Sequence, residues 1–176
     1  MQFDFNQTYF TLFGMQQGFA IDTRELDQRY RDLQALWHPD RFASSDDTAR
    51  RLSLQASTFV NEAWQTLKSP LARARYLLRL NGIDTQEDTN TAMPMDFLMQ
   101  QMEWREAIAE AKSSRHLDEL ERLGAELREE IAALEQLLGG QLDVSQWDAA
   151  STSVRKLRFL EKLDQEIGDA IEAVMF

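Results

Sequence analysis

The stretch DTRELDQRYRDLQALWHPDRF, residues 22–42, decides the reading of this chain. Asp22-Thr23-Arg24-Glu25 has the form of a capping box, with an acceptor at the N-cap and a Glu three residues later. Leu26, Tyr30, Leu33 and Trp37 then recur at spacings of 4, 3 and 4, which puts one apolar stripe along a helix. Pro39 disfavours helical geometry at the residue before it, so the helix stops near Trp37. His38 and Asp40 are left on a stiffened turn. A turn held by packed helices pre-organises two polar groups for docking and lowers the ordering cost of binding. Asp40 suits a partner Arg, and His38 can donate or accept. The same tripeptide would also serve as a plain helix–helix turn, with His38 capping one helix and Asp40 the next. No second ligand stands near His38 for a metal site, and no nucleophile accompanies a His–Asp dyad.

Working outward, residues 9–13 form an apolar cluster ended by Gly14, read as a short helix. Residues 40–47 read as polar loop. A long helix is expected over 48–68, with Leu52, Phe59, Val60, Ala63, Trp64 and Leu67 facing inward. Ser69-Pro70 breaks it, and Leu71 to Leu80 makes another helix closed by Asn81-Gly82. The polar, aperiodic residues 81–94 read as a linker. Three helices should follow, at about 95–112, 115–138 and 146–175, with Gly139-Gly140 separating the last two. Short connections between long helices imply antiparallel neighbours. The expectation is therefore an all-α protein: a module over 1–80, a linker over 81–94 and a three-helix bundle over 95–176.

Composition narrows the function classes. With no cysteine in 176 residues, thiol chemistry and Cys-ligated metal or iron–sulphur sites within the chain are excluded. The two histidines, His38 and His116, lack metal-ligand spacing. No run approaches the length of a membrane span, and Met1 to Phe10 carry an acid and no base, unlike a targeting segment. A cytoplasmic protein without cofactor or membrane association is expected. Residues 1–80 hold ten Lys and Arg against nine Asp and Glu; residues 81–176 hold nine against twenty-one. Such asymmetry argues for two modules with different partners, and the acidic surface argues against nucleic acid. No Gly-rich phosphate loop or triad spacing supports an enzyme.

On the first bundle helix, Phe97, Trp104, Ile108 and Ala111 form one stripe. Leu98 and Met102, with Met95 and Met99 beside them, form a second about 100° or more away. A bundle helix needs one such stripe. The second packs on the first module or binds a partner. Glu103 and Glu106 flank it. The last helix has a stripe through Val154, Leu157, Leu160, Ile167 and Ile171. Phe159 lies off its centre, either as a rim residue of the core or as an exposed anchor.

The loop between two helices, His38-Pro39-Asp40, resembles that of a J-domain, the module that stimulates ATP hydrolysis by DnaK-type chaperones. J-domains carry basic residues near this loop to steer encounter with an acidic partner. Arg24, Arg29, Arg31 and Arg41 supply them here, diluted by Asp22, Asp27 and Asp32. Across nearly the whole chain the resemblance is to the HscB family, the J-domain co-chaperones of iron–sulphur cluster assembly. It rests on Tyr9-Phe-Thr-Leu-Phe-Gly14, His38-Pro-Asp-Arg-Phe-Ala43, Asn61-Glu-Ala-Trp-Gln-Thr-Leu67, Ala74-Arg-Tyr-Leu-Leu78, Phe97-Leu-Met99, Trp147-Asp-Ala-Ala150 and Val154-Arg-Lys-Leu-Arg-Phe-Leu160. The resemblance implies an N-terminal module that engages the DnaK-type ATPase HscA through His38, Pro39 and Asp40, with Arg29, Arg31 and Arg41 nearby. It implies a bundle that binds the cluster scaffold IscU, with contact positions at Leu98, Met102, Glu103, Glu106 and Phe159. The Cys-rich N-terminal extension of some eukaryotic relatives is absent, so no metal site is carried over. Such a protein is a co-chaperone and not an enzyme. The competing reading is a generic J-domain adaptor for a different client.

Overall fold

A computed structural model of the chain describes residues 2–90 and 92–176. Met1, in the expected first module, and Thr91, in the expected linker, lie outside the described residues. All regular structure among the described residues is helical, as expected: α1 (Tyr9–Leu12), α2 (Thr23–Trp37), a 3₁₀ turn (Pro39–Phe42), α3 (Asp47–Lys68), α4 (Pro70–Leu80), α5 (Met95–Ser113), α6 (Leu117–Asp143) and α7 (Trp147–Met175). None of these helices is long and apolar enough to cross a membrane. The chain divides into two compact units, one ending at Leu77 and one spanning Leu78–Phe176.

The first unit is built on the α2–α3 hairpin. Asp22 caps α2, its carboxylate accepting from the amides of Arg24 and Glu25. Leu26 and Trp37 are buried, and Tyr30 and Leu33 are half-buried between them. The inward face of α3 is mostly small: Ser53, Ala56, Ser57, Val60 and Ala63 are buried, ending in Leu67. Small side chains let the two helix backbones approach, and Phe59 and Trp64 flank that line half-buried. At the end of α1, Gly14 takes a left-handed φ of 60°, and a Cβ there would lie 2.6 Å from Arg29 Nη1. That guanidinium donates to the carbonyls of Phe13 (2.7 Å) and Gly14 (3.1 Å), tying α1 to α2. Tyr9 stacks on Tyr76 of α4, and the Tyr9 amide donates to the Tyr76 hydroxyl at 2.9 Å.

One expectation fails in this unit. Residues 40–47 are not uniformly polar loop, because Phe42 is buried and Pro39–Phe42 winds into a 3₁₀ turn. A single large aromatic in a polar run gains enough by burial to fold the chain back onto Trp37.

In the second unit, α6 and α7 form the most extensive pairing, and α5 packs against both. Phe97, Trp104, Leu120, Leu127, Leu163 and Ile167 lie at its core. Gly139-Gly140 does not separate two helices, which corrects the sequence reading. Helix α6 runs through the pair to Asp143 and ends where Ser145 adopts a φ of 59°. Leu138 and Leu142, on either side of the glycines, are buried. Each buried Leu contributes about 1.5–3 kcal/mol, against about 1 kcal/mol of helix propensity lost at each Gly. Packing therefore wins. The stretch expected as linker has attachments of its own. Thr85 is buried, its carbonyl accepts from Arg155 at 3.1 Å, and Asp88 pairs with Arg158 at 2.9 Å.

Candidate functional site

The His38-Pro39-Asp40 turn is held at both ends. Immediately before it, Trp37 is buried; two residues after it, Phe42 is buried. Their rings lie nearly parallel, with centroids 6.1 Å apart, and share a cluster with Ala56 and the flanking Leu33 and Leu52. Ser53 of α3 donates its hydroxyl to the Trp37 carbonyl at 2.9 Å, satisfying one of the free carbonyls at the end of α2. Between these anchors the functional groups face solvent, with the His38 side chain 55% exposed and that of Asp40 94%. His38 Nδ1 accepts the Asp40 amide at 3.2 Å. The neutral ring therefore carries its proton on Nε2, which is the nitrogen able to donate. The Asp40 carboxylate lies 3.7 Å from Nδ1. The turn thus offers one imidazole donor and one exposed carboxylate side by side.

The hairpin behind the turn is locked in register by a polar seam that periodicity does not reveal. Tyr30 donates to Asn61 Oδ1 at 2.6 Å, and Gln34 donates to the same oxygen. Tyr30 stacks on Trp64, whose indole donates to Asp27 at 2.8 Å. Lys68 completes the seam, pairing with Asp27 at 3.2 Å and sitting over the Trp64 ring at 4.7 Å. The Trp64 hydrogen bond, and then Lys68, hold the Asp27 carboxyl below the usual carboxylate range.

The basic residues expected near the turn are held by separate partners. Arg29 is engaged with the Phe13 and Gly14 carbonyls and with Glu25 at 2.6 Å. Arg31 is exposed and reaches Gln28 at 2.9 Å, while Arg41 reaches back to the Ala35 carbonyl at 3.5 Å. Of the acids that dilute them, Asp22 is spent on the helix cap and Asp27 on the seam.

On the bundle, α5 presents the two faces read from the sequence. Phe97, Trp104, Ile108 and Ala111 are buried, with Gln101 among them. On the other face Met95, Met99 and Met102 are 71%, 57% and 64% exposed. Leu98 is half-buried in their midst, and Glu103 and Glu106 are exposed beside them. Phe159 is half-buried on the rim of the bundle core, with Lys162 Nζ 5.8 Å from its ring centre. Phe159 thus packs on the rim of the core while staying partly exposed, a placement compatible with both alternatives. Among the described residues no three His, Asp or Glu side chains converge as metal ligands.

Residues 93–168 match a family model described as the HSCB C-terminal oligomerisation domain. The sequence is 55% identical over 176 residues, 99% of both chains, to the co-chaperone protein HscB homolog of Chromobacterium violaceum. The chain belongs to the HscB co-chaperone family. Among solved structures, chaperone HscB from Vibrio cholerae is 35% identical with a TM-score of 0.86, over 96% of this chain and 99% of that one. Human co-chaperone HscB is 31% identical with a TM-score of 0.88, over 94% and 82%.

Membership of the HscB family makes this chain a co-chaperone and not an enzyme. The residues that hold the turn, Phe42 and Ser53, and those of the seam, Asp27, Gln34, Asn61 and Lys68, were not singled out as functional in the sequence. One signal was present for Phe42, an aromatic stranded in a polar run. Nothing local marks Ser53, which acts on a carbonyl 16 residues earlier in the chain.

Proposed function

We propose that this protein stimulates the ATPase of a dedicated DnaK-type chaperone, HscA, and delivers the iron–sulphur scaffold IscU to it in the cytoplasm. The observation that carries this reading is the presentation of His38 and Asp40 on a turn clamped by Trp37 and Phe42. An exposed donor–carboxylate pair on a clamped turn binds one conformation of an ATPase better than another. That difference in affinity is all that is needed to shift the partner toward hydrolysis. In this scheme residues 1–80 engage the chaperone through His38, Pro39 and Asp40. Arg31 and Arg41 steer the encounter, and Arg29 positions the helix. The 95–176 bundle takes the scaffold on Leu98, Met102 and Phe159, with Glu103 and Glu106 supplying a charged rim.

The test is steady-state ATP hydrolysis by the purified chaperone with the wild-type chain and with His38→Gln. The wild type should stimulate and the variant should not; equal stimulation by both would sink the assignment. A pull-down with purified scaffold separates this reading from a generic adaptor, which would not retain the scaffold.

A further inference from the structure

Three of the chain's seven methionines, Met95, Met99 and Met102, fall at i, i+4 and i+7 on α5. At 100° per residue they lie within an arc of about 60°, with Leu98 at its edge. All three are exposed, whereas Met15 and Met93 are half-buried. The chain has no cysteine, so its thioethers are its only readily oxidised sulphur. An apolar face built from Met where Leu would serve is chemically distinct in one respect. Its sulphur atoms can acquire an oxygen and turn the face polar.

We propose that Met95, Met99 and Met102 make this face an oxidation-sensitive docking switch, in which a peroxide converts their thioethers to sulfoxides and weakens capture of the scaffold. The proposal rests on the reading of this face as the scaffold site. In the chemical step the thioether sulphur attacks one peroxide oxygen. The O–O bond breaks, an S–O bond forms, and the departing hydroxide takes the proton from the sulphur-bound hydroxyl and leaves as water. Sulphur is oxidised by two electrons and hydrogen peroxide is reduced. Each sulfoxide places a strong hydrogen-bond acceptor on a surface whose contacts are apolar, so docking leaves that acceptor desolvated and unpaired. Reduction of the sulfoxides by methionine sulfoxide reductases restores the face, which makes the switch reversible.

The experiment treats the full chain with hydrogen peroxide and removes the oxidant with catalase. Purified scaffold is then added, so that its own groups never meet peroxide. Peptide mass spectrometry should find sulfoxide at 95, 99 and 102 ahead of Met15 and Met93. The scaffold Kd should rise at least about tenfold, equivalent to about 1.4 kcal/mol. Circular dichroism should be unchanged, and the two reductases should restore binding. In a Met95→Leu, Met99→Leu, Met102→Leu variant, which keeps Met175, the ratio of Kd with and without peroxide should fall to about one. An unchanged Kd with all three sulfoxides formed, a loss that persists in the triple variant, or a loss of helix on oxidation would each overturn the proposal. Failure of the untreated chain to bind scaffold would instead refute the scaffold reading itself and take the switch down with it.

Discussion

Truncating Phe42 tests whether the turn is held as the structure indicates. Phe42→Ala removes a buried ring that packs 6.1 Å from Trp37 and closes the loop after His38-Pro39-Asp40. Burial of this kind is worth about 3–5 kcal/mol by Phe→Ala truncation. The ring sits at the edge of a small cluster beside a loop that can settle inward, so the low end, about 3 kcal/mol, is expected. A small domain has about 5–15 kcal/mol of stability in total, and the variant should remain folded. At 1.4 kcal/mol per factor of ten, 3 kcal/mol is a little over a hundredfold. Native-state hydrogen exchange reads this directly: the most protected amides of α3, which open with the whole unit, should exchange about a hundredfold faster.

The contrast is His38→Gln. Its side chain is more than half exposed, so its stability should change by less than about 0.5 kcal/mol. Both variants should lose stimulation of the chaperone, one by loosening the turn and the other by removing the donor. If α3 exchange in Phe42→Ala accelerates less than about fivefold, the loss is below about 1 kcal/mol and the clamp argument is wrong.

Acid sensitivity should follow Asp27. Its carboxyl is held low in the folded state, so its contribution is complete above the ordinary carboxylate range and disappears as pH falls through the lowered folded value. Asp27→Asn should flatten the pH dependence of first-unit stability below about pH 4, measured by urea unfolding; an unaltered slope would show that the seam carries no such linkage. In the second unit, burial and then the neighbouring Glu126 push Glu130 up, which has the opposite sign: stability rises as pH falls through its folded value. Glu130→Gln should therefore raise the neutral-pH unfolding midpoint, and a lower midpoint would contradict the assignment. Gly140→Ala meets no atom within 4 Å inside α6 and should stabilise the bundle by about 0.5–1 kcal/mol, read as a higher Tm. Leu98→Ala should weaken scaffold binding in a titration while helical content stays constant; unchanged affinity would remove Leu98 from the site.

What was legible in the sequence, and what was not, divides along physical lines. Apolar spacing reports which face of a helix is inside, and it placed the hairpin and the buried stripes of α5 and α7. It does not report where a helix stops when packing overrides propensity, and so α6 ran through Gly139-Gly140. Nor does it report pairings between polar side chains distant in sequence. Asp27 counted as a surface acid until its hydrogen bond with Trp64, 37 residues away, came into view.

The two ends of the proposed adaptor were legible for opposite reasons. The first stood out because His38 and Asp40 serve no core, so their placement beside Pro39 asks for a partner. The second stood out because α5 carries more apolar surface than a three-helix bundle can bury. In both places the sequence departs from what folding alone requires. Ser53, which satisfies the fold while fixing the site, leaves no such surplus. It is found only when the fold brings the Trp37 carbonyl to its hydroxyl.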